Sequence, residues 1–240
     1  MTKPYNELAI DWYQLLSPLS EYKEEADLYH QILEERLKPP PSTILELGSG
    51  AGHNAYYMKQ WYKLTLSDIS ENMLVISKNL NPEGKHHLDD MKTLRLNETF
   101  DAVFIHDAIM YMVSEDELEQ ELLTAFNHCK EGGMALITPD FVKEIFNLLT
   151  DHGGSDENGC GLRYLEWKQD ADTNDCTYTV DYAYLMRDAD GSIHMEHDHH
   201  VEGLFPEATW LNLLKKVGFN PYLLPDTIFN RINFIAHKPA

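Results

Sequence analysis

Apolar residues recur along this 240-residue chain with two periods, and the change of period divides it. Tyr5, Leu8, Ala9, Trp12, Tyr13 and Leu16 stand three or four positions apart. Ser17-Pro18 interrupts, and Ala26, Tyr29, Ile32, Leu33 and Leu37 resume the same spacing. Side chains at those intervals share one helix face, so two amphipathic helices are predicted between residues 4 and 37, ended by Pro39-Pro40-Pro41. From residue 43 short apolar runs alternate with helical stretches. Thr43–Leu47, Leu64–Asp68, a run ending at His86–Met91, Phe100–His106 and Gly133–Thr138 read as strands. Helices follow the first strand, the second (with Ser70 as N-cap) and the fourth, where Ser114 caps Glu115–His128. Runs as apolar as Phe100–Ile105 suit strands covered on both faces, and the alternation predicts a doubly wound parallel sheet.

Between residues 139 and 205 the period drops to two. A glycine- and acid-rich loop, Asp151–Gly161, precedes strand-like Leu162–Lys168, Thr177–Arg187 and Ser192–Gly203, with Asp188-Ala189-Asp190-Gly191 as a hairpin turn. A helix over Pro206–Val217 and strands near Pro221–Leu224 and Arg231–His237 then return to the sheet, the last two as an antiparallel edge hairpin. The expected fold is α/β: a Rossmann-like, seven-stranded, mostly parallel sheet. Its segments are N-terminal helices (1–40), an alternating strand-and-helix core (41–138), an antiparallel insertion (139–205) and a C-terminal completion of the core sheet (206–240).

Charge narrows the partners. There are 19 basic and 40 acidic residues, a formal charge of -21, and such an acidic surface repels phosphate backbones and anionic lipid headgroups. Neither nucleic acid nor membrane is an expected partner; a monomer or homodimer is expected. Cys129, Cys160 and Cys176 are few, odd in number and without metal-type spacing. With no signal-peptide start and no run approaching about 20 apolar residues, a cytoplasmic location is expected.

The chemistry gathers at Glu46-Leu47-Gly48-Ser49-Gly50-Ala51-Gly52-His53-Asn54, a strand end, tight turn and helix start. Glycines there let the backbone turn and approach a ligand, while the free N–H groups of the helix start can hold an anionic group. Alone, such a loop fits an ordinary strand-to-helix turn equally well. Asp68 stands twenty positions after Gly48, where a βαβ unit sets a carboxylate beside ribose hydroxyls. The dinucleotide fingerprint G-x-G-x-x-G does not fit, since His occupies position 53 and the third glycine falls at 52. His194, Glu196, Asp198 and His200 share one strand face, but i and i+4 on a strand lie roughly 13 Å apart. A polar outer strand, with no metal, is therefore expected there. Tyr178, Tyr182 and Tyr184 on one face, and Trp167, could wall a pocket or form the insertion's packing surface.

Taken in order, Glu46-x-Gly48-x-Gly50-x-Gly52, Asp68-Ile69-Ser70-x-x-Met73-Leu74, Asp90-Met91, Phe100-Asp101-Ala102-Val103 and Lys130-Glu131-Gly132-Gly133 resemble the motif set of class I S-adenosylmethionine-dependent methyltransferases. The match covers roughly residues 40 to 140; the helices before it and the insertion after it resemble the small-molecule branch, including the amino-sugar and glycine-type N-methyltransferases, which implies an N-terminal helical lid (1–40), a cofactor-binding core (41–138) and an insertion over the substrate pocket (139–205). The resemblance implies S-adenosylmethionine as cofactor and a small-molecule acceptor, an amine foremost, with a hydroxyl or carboxylate as the alternative. It implies that Gly48, Gly50 and Gly52, with Ser49 and Asn54, lie against the methionine part and Glu46 near its amino end. Asp68 would hold the ribose, Ile69 and Met73 would flank the adenine, Asp90 would accept from its amino group, and the Met91 backbone would meet the ring edge. His106 would turn its carbonyl to the methionine amino group, and Tyr13 would contact the cofactor near its sulfur. Tyr111 past the fourth strand, His152 in the glycine-rich loop and Tyr13 are the catalytic candidates.

Overall fold

The computed structural model describes residues 2–240. Two helices open the chain, α1 (Ala9–Leu16) and α2 (Tyr22–Arg36), each preceded by a short 3-10 turn, at Lys3–Tyr5 and Leu19–Glu21. The core alternates β1 (Thr43–Leu47), α3 (His53–Met58), β2 (Lys63–Asp68), α4 (Glu71–Leu80), β3 (Lys85–Leu88) and β4 (Phe100–Ile105). A 3-10 turn at Asp107–Tyr111, α5 (Glu115–His128) and β5 (Cys129–Ile137) follow. Next come β6 (Leu149–Gly153), β7 (Asp156–Glu157), β8 (Cys160–Gln169), β9 (Thr177–Arg187) and β10 (Ile193–Gly203); α6 (Glu207–Val217), β11 (Asn220–Asp226) and β12 (Arg231–His237) close the chain.

The expected seven-stranded sheet is present in the order β11-β12-β5-β4-β1-β2-β3. The strands from β5 to β3 pair in parallel; β12 runs antiparallel to β5 and to β11, which gives the predicted edge hairpin. The central strands are buried along most of their length, and two apolar clusters cover the two sheet faces. One holds Leu118, Leu122, Trp210 and Phe234, with α5 and α6; the other holds Tyr29, Leu33, Ala55 and Met58, with α2 and α3. Each fully buried Leu or Phe contributes roughly 1.5–3 kcal/mol. The caps foreseen at Ser70 and Ser114 both form, each hydroxyl accepting from the N–H three residues on.

The second sheet runs β10-β9-β8-β6, all antiparallel, with β7 also on β8. One expectation needs correcting here. Residues 149–153, read in part as a glycine-rich loop, form an edge strand because Leu149–Gly153 pairs with Tyr164–Lys168. The third strand also ends earlier than expected, at Leu88, so Asp89 and Asp90 belong to the loop beyond it. The inner face of the second sheet packs on α1: Leu162, Tyr184 and Met186 meet Leu8, Trp12, Leu15 and Leu16. Ser155 donates from both its N–H and its hydroxyl to the Leu15 carbonyl, at 3.0 Å each. Helix α1 and the second sheet therefore pack against each other, beyond the C-terminal ends of the parallel strands.

Candidate functional site

A cavity of about 590 Å³ lies at those strand ends, walled by the glycine loop, the loops after β2, β3, β4 and β5, the N-terminal segment and β10. Gly48, Gly50 and Gly52 all take positive φ, at 67°, 53° and 71°. The three differ in what surrounds them. A Cβ on Gly48 would lie 2.3 Å from the Ala108 Cβ; one on Gly50 would meet nothing closer than the Met73 methyl at 3.4 Å. A Cβ on Gly52 would strike the Ser77 hydroxyl at 2.4 Å, and the Gly52 carbonyl accepts from the Asn81 amide at 2.9 Å. Gly48 and Gly50 belong to the cavity wall, whereas Gly52 packs against α4 behind it, which corrects its expected place under the ligand.

The other predicted cofactor positions, Tyr13, Glu46, Ser49, Asn54, Asp68, Ile69, Met73, Asp90, Met91 and His106, all line the cavity. Asp68 accepts from the Gly50 N–H at 2.8 Å and the Ser70 N–H at 2.7 Å, which fixes its carboxylate and leaves lone pairs on both oxygens. Burial nonetheless holds its carboxyl above the usual range. Asp90 accepts from the Lys92 N–H at 2.8 Å. Glu46 is almost fully buried, and burial, then the Asp68 charge, pushes its carboxyl up to about 8. The Ser49 hydroxyl, both ring nitrogens of His53 and the Asn54 carbonyl oxygen have no protein partner. Buried polar atoms are ordinarily paired, so a wall with this many open groups suits a polar ligand. Burial takes His53 down to about 4, leaving it uncharged between the Tyr13 and Tyr22 rings.

Opposite this wall the cavity is lined by Tyr5, Tyr111, Asp107, Asp140, Lys168, Tyr182, His200 and Glu202. The Tyr111 hydroxyl lies 3.0 Å from His200 Nδ1, and His200 Nε2 lies 3.1 Å from Asp198 Oδ2. The same Asp198 oxygen accepts from the Lys3 N–H at 2.7 Å, and Lys3 Nζ reaches Glu196 at 2.6 Å. A carboxylate at Nε2 favours the tautomer with its proton there, so Nδ1 faces Tyr111 as an acceptor. The Tyr178 hydroxyl donates to Glu202, which also stands 3.7 Å from His200 Nδ1. Burial and then the Glu202 charge push the Tyr111 phenol well above its usual range, so Tyr111 is a neutral hydrogen-bonding group.

Arg231 underlies the acidic side. It meets Glu25 at 2.9 Å and Asp140 at 3.1 Å, and donates to His106 Nε2 at 2.9 Å. Burial raises Asp107 and Asp140, with Arg231 opposing; Glu25 reaches about 7 for the same reasons. His106 falls to about 3 through burial and the Arg231 charge, so its ring is a neutral acceptor here. Its carbonyl accepts from Ile109 at 3.2 Å and keeps a second lone pair for the expected ligand contact.

His152 is the candidate the structure removes from the site. Its side chain is 86% exposed on the edge strand β6, outside the cavity wall, since pairing with β8 holds that segment in the second sheet. Of the three tyrosines on β9, Tyr178 and Tyr184 are buried packing residues and Tyr182 reaches the cavity; Trp167 is half exposed on the other face. His194, Glu196, Asp198 and His200 do share a face, but it turns inward toward the N-terminal segment instead of forming a solvated outer strand. Among the described residues no three His, Cys, Asp or Glu side chains converge as metal ligands. Sequence reasoning set His200 and Asp198 aside on a polar outer strand and did not single out Glu202, Asp107 or Asp140. Strand alternation was the available signal for the first three, though it could not say which face is covered.

A family described as "Methyltransferase domain" matches residues 44–133. The dTDP-3-amino-3,4,6-trideoxy-alpha-D-glucopyranose N,N-dimethyltransferase of Streptomyces venezuelae is 26% identical over 128 residues, 52% of this chain and 54% of that protein. The chain thus matches little more than half the length of that relative. Among solved structures, Streptomyces venezuelae DesVI superposes with a TM-score of 0.84 at 21% identity, over 96% of this chain and 98% of that one. SAM-bound CalS10, an amino pentose methyltransferase from Micromonospora echinaspora, gives 0.78 at 18% identity, over 90% and 91%. Residues 44–133 of this chain therefore match a methyltransferase domain, and the chain has the fold that DesVI and CalS10 share.

Proposed function

We propose that the protein is an S-adenosylmethionine-dependent methyltransferase acting on the nitrogen of a small-molecule amine. The observation that carries this reading is one continuous cavity. It joins the predicted cofactor residues Glu46, Gly48, Gly50, Asp68 and Asp90 to a second wall of carboxylates and a Tyr111–His200 pair. The first wall fits the cofactor. The fixed Asp68 carboxylate suits ribose hydroxyls, Asp90 suits an adenine amino group with Ile69 and Met73 alongside, and the partnerless Ser49 and Asn54 oxygens suit the methionine part. Glu46 suits its ammonium, and Tyr13 in the same wall suits the neighbourhood of the sulfur.

When bound, the cofactor supplies an electrophilic methyl on a good leaving group, so orientation and exclusion of water provide most of the acceleration. The chain's remaining task is to hold the amine and take its proton. Asp107 and Asp140 would hold the incoming ammonium. The Tyr111 oxygen would accept the nitrogen-bound proton while its own hydroxyl proton passes to His200 Nδ1, 3.0 Å away. Asp198 and Glu202 would then stabilise the imidazolium, 3.1 and 3.7 Å from its nitrogens. A carboxylate acceptor would have to enter among Asp107, Asp140 and Glu202, so the wall favours an amine.

The test incubates the purified chain with S-adenosylmethionine and a panel of small amines, carboxylates and phenols, read by mass spectrometry. The expected result is a methylated amine with stoichiometric S-adenosylhomocysteine. Methylation confined to carboxylates or phenols would overturn the nitrogen assignment, and failure to bind either form of the cofactor would overturn the reading as a whole.

A further inference from the structure

Every described cation in or behind the acceptor wall already faces an acid. Lys168 lies 2.9 Å from Glu166, Lys92 3.0 Å from Glu117, and Arg231 meets both Glu25 and Asp140. The insertion contains only three other Lys or Arg residues. Arg163 and Arg187 both pair with Asp156, and Lys143 donates to the Asp175 carbonyl at 2.7 Å. Lys3, on the segment that covers the cavity, is held by Glu196. The carboxylates are the reverse case. Asp107, Asp140 and Glu202 line the cavity, with Arg231 and Lys168 shared among them, Glu25 and Glu166. Asp107 Oδ1 is shielded from solvent and has no hydrogen-bond donor. His106 Nε2, 3.2 Å from it, accepts from Arg231 and has no proton to give.

A diphosphate is ordinarily held by unpaired Arg or Lys side chains or by free helix N-terminal N–H groups. The N-terminal loop of α3 is already committed to the cofactor side, and among the described residues each Lys or Arg lining the cavity has an acidic partner. Building on the methyltransferase reading above, we infer that the acceptor is an amine carrying no phosphate, and that Asp107 and Asp140 select it against nucleotide-linked amines. A diphosphate brought to this wall meets like charge, whereas an ammonium adds positive charge where Asp107 and Asp140 share a single Arg231 with Glu25. Burial raises the carboxyls of Asp107 and Asp140 even with Arg231 beside them, so an added ammonium would favour their ionised form.

The experiment first loads the full chain with S-adenosylhomocysteine; absence of that binding would sink the methyltransferase reading, whatever the amine titrations give. The loaded protein is then titrated calorimetrically with thymidine 5′-diphosphate and with unphosphorylated amines: ethanolamine, glycinamide and a methyl 3-amino-3,6-dideoxyglucoside. The same amino sugar, free and dTDP-linked, is compared in turnover. The inference expects no thymidine diphosphate binding below millimolar concentration, saturable binding of at least one free amine, and at least about tenfold weaker amine binding in Asp107→Asn and Asp140→Asn. Those variants are to keep wild-type S-adenosylhomocysteine affinity, which separates a lost contact from a lost fold. Micromolar thymidine diphosphate binding would overturn the inference. So would faster turnover of the dTDP-linked sugar than of the free one, binding of none of the amines, or amine affinity unchanged in both variants.

Discussion

Glu46 shows how one residue ties the cofactor claim to a measurable proton. Burial and Asp68 hold its carboxyl at about 8, so near neutral pH it is mostly protonated in the free protein. An ammonium beside it favours the ionised form, so binding should release a proton, and cofactor affinity should rise between pH 6 and 8. Calorimetry across that range should show the rise in the wild type and its loss in Glu46→Gln. The Tyr111–His200–Asp198 chain makes a second residue-scale prediction. His200→Asn should lower kcat by about 10²-fold with little change in the KM of the amine, because it removes a proton acceptor and not a binding group. An equal loss through KM alone would assign His200 to binding. These two residues also mark what the sequence could disclose. Glu46 and Asp68 were legible because each sits at a strand end at a fixed distance from the glycines, and Asp90 because it belongs to the ordered motif set. His200 was not, because its face is covered through contacts from Lys3, nearly two hundred positions away.

Among elements, the glycine loop and the second sheet behaved differently under sequence reading. The loop, its helix and the parallel strands follow from local period and spacing, and all are present, with the third strand ending earlier than expected. Equivalence of the three glycines was the error, since spacing alone does not distinguish a glycine facing a ligand from one packed against a helix. Their surroundings separate them experimentally. Gly50→Ala meets only the Met73 methyl, at 3.4 Å, and bears mainly the left-handed backbone cost, roughly 1–2 kcal/mol. Gly52→Ala adds collision with Ser77 and Asn81, for a total of roughly 3 kcal/mol. Denaturant unfolding should show the larger loss in Gly52→Ala; equal losses would contradict the packing role. In the second sheet, β8 to β10 were legible from alternation. Polar β6 was read as loop because its Asp151-His152-Gly153-Gly154 composition resembles a turn and its order comes only from pairing with β8.

Across the whole molecule, buried acids shape stability against pH. Glu25, Glu46 and Glu121 are held at about 7, 8 and 8 by burial, against an ordinary value of 4.5. Each therefore binds more protons folded than unfolded across that window, and their joint contribution falls as pH rises from about 4.5 to 8. His53 and His106, lowered to about 4 and 3, act at the other end: stability gained from their neutral form is lost as pH drops below about 6.5. Glu121 isolates the first effect. It is fully buried on α5 with neither carboxylate oxygen partnered. Glu121→Gln should leave Tm nearly unchanged at pH 5 and raise it by at least about 3 °C at pH 8.5, and a pH-independent change would refute the assignment. Whether the glycine loop, Asp68 and Asp90 form an S-adenosylmethionine site comes down to one calorimetric titration of the full chain with that cofactor. A single site of micromolar affinity is expected; no binding heat at millimolar cofactor would contradict the assignment.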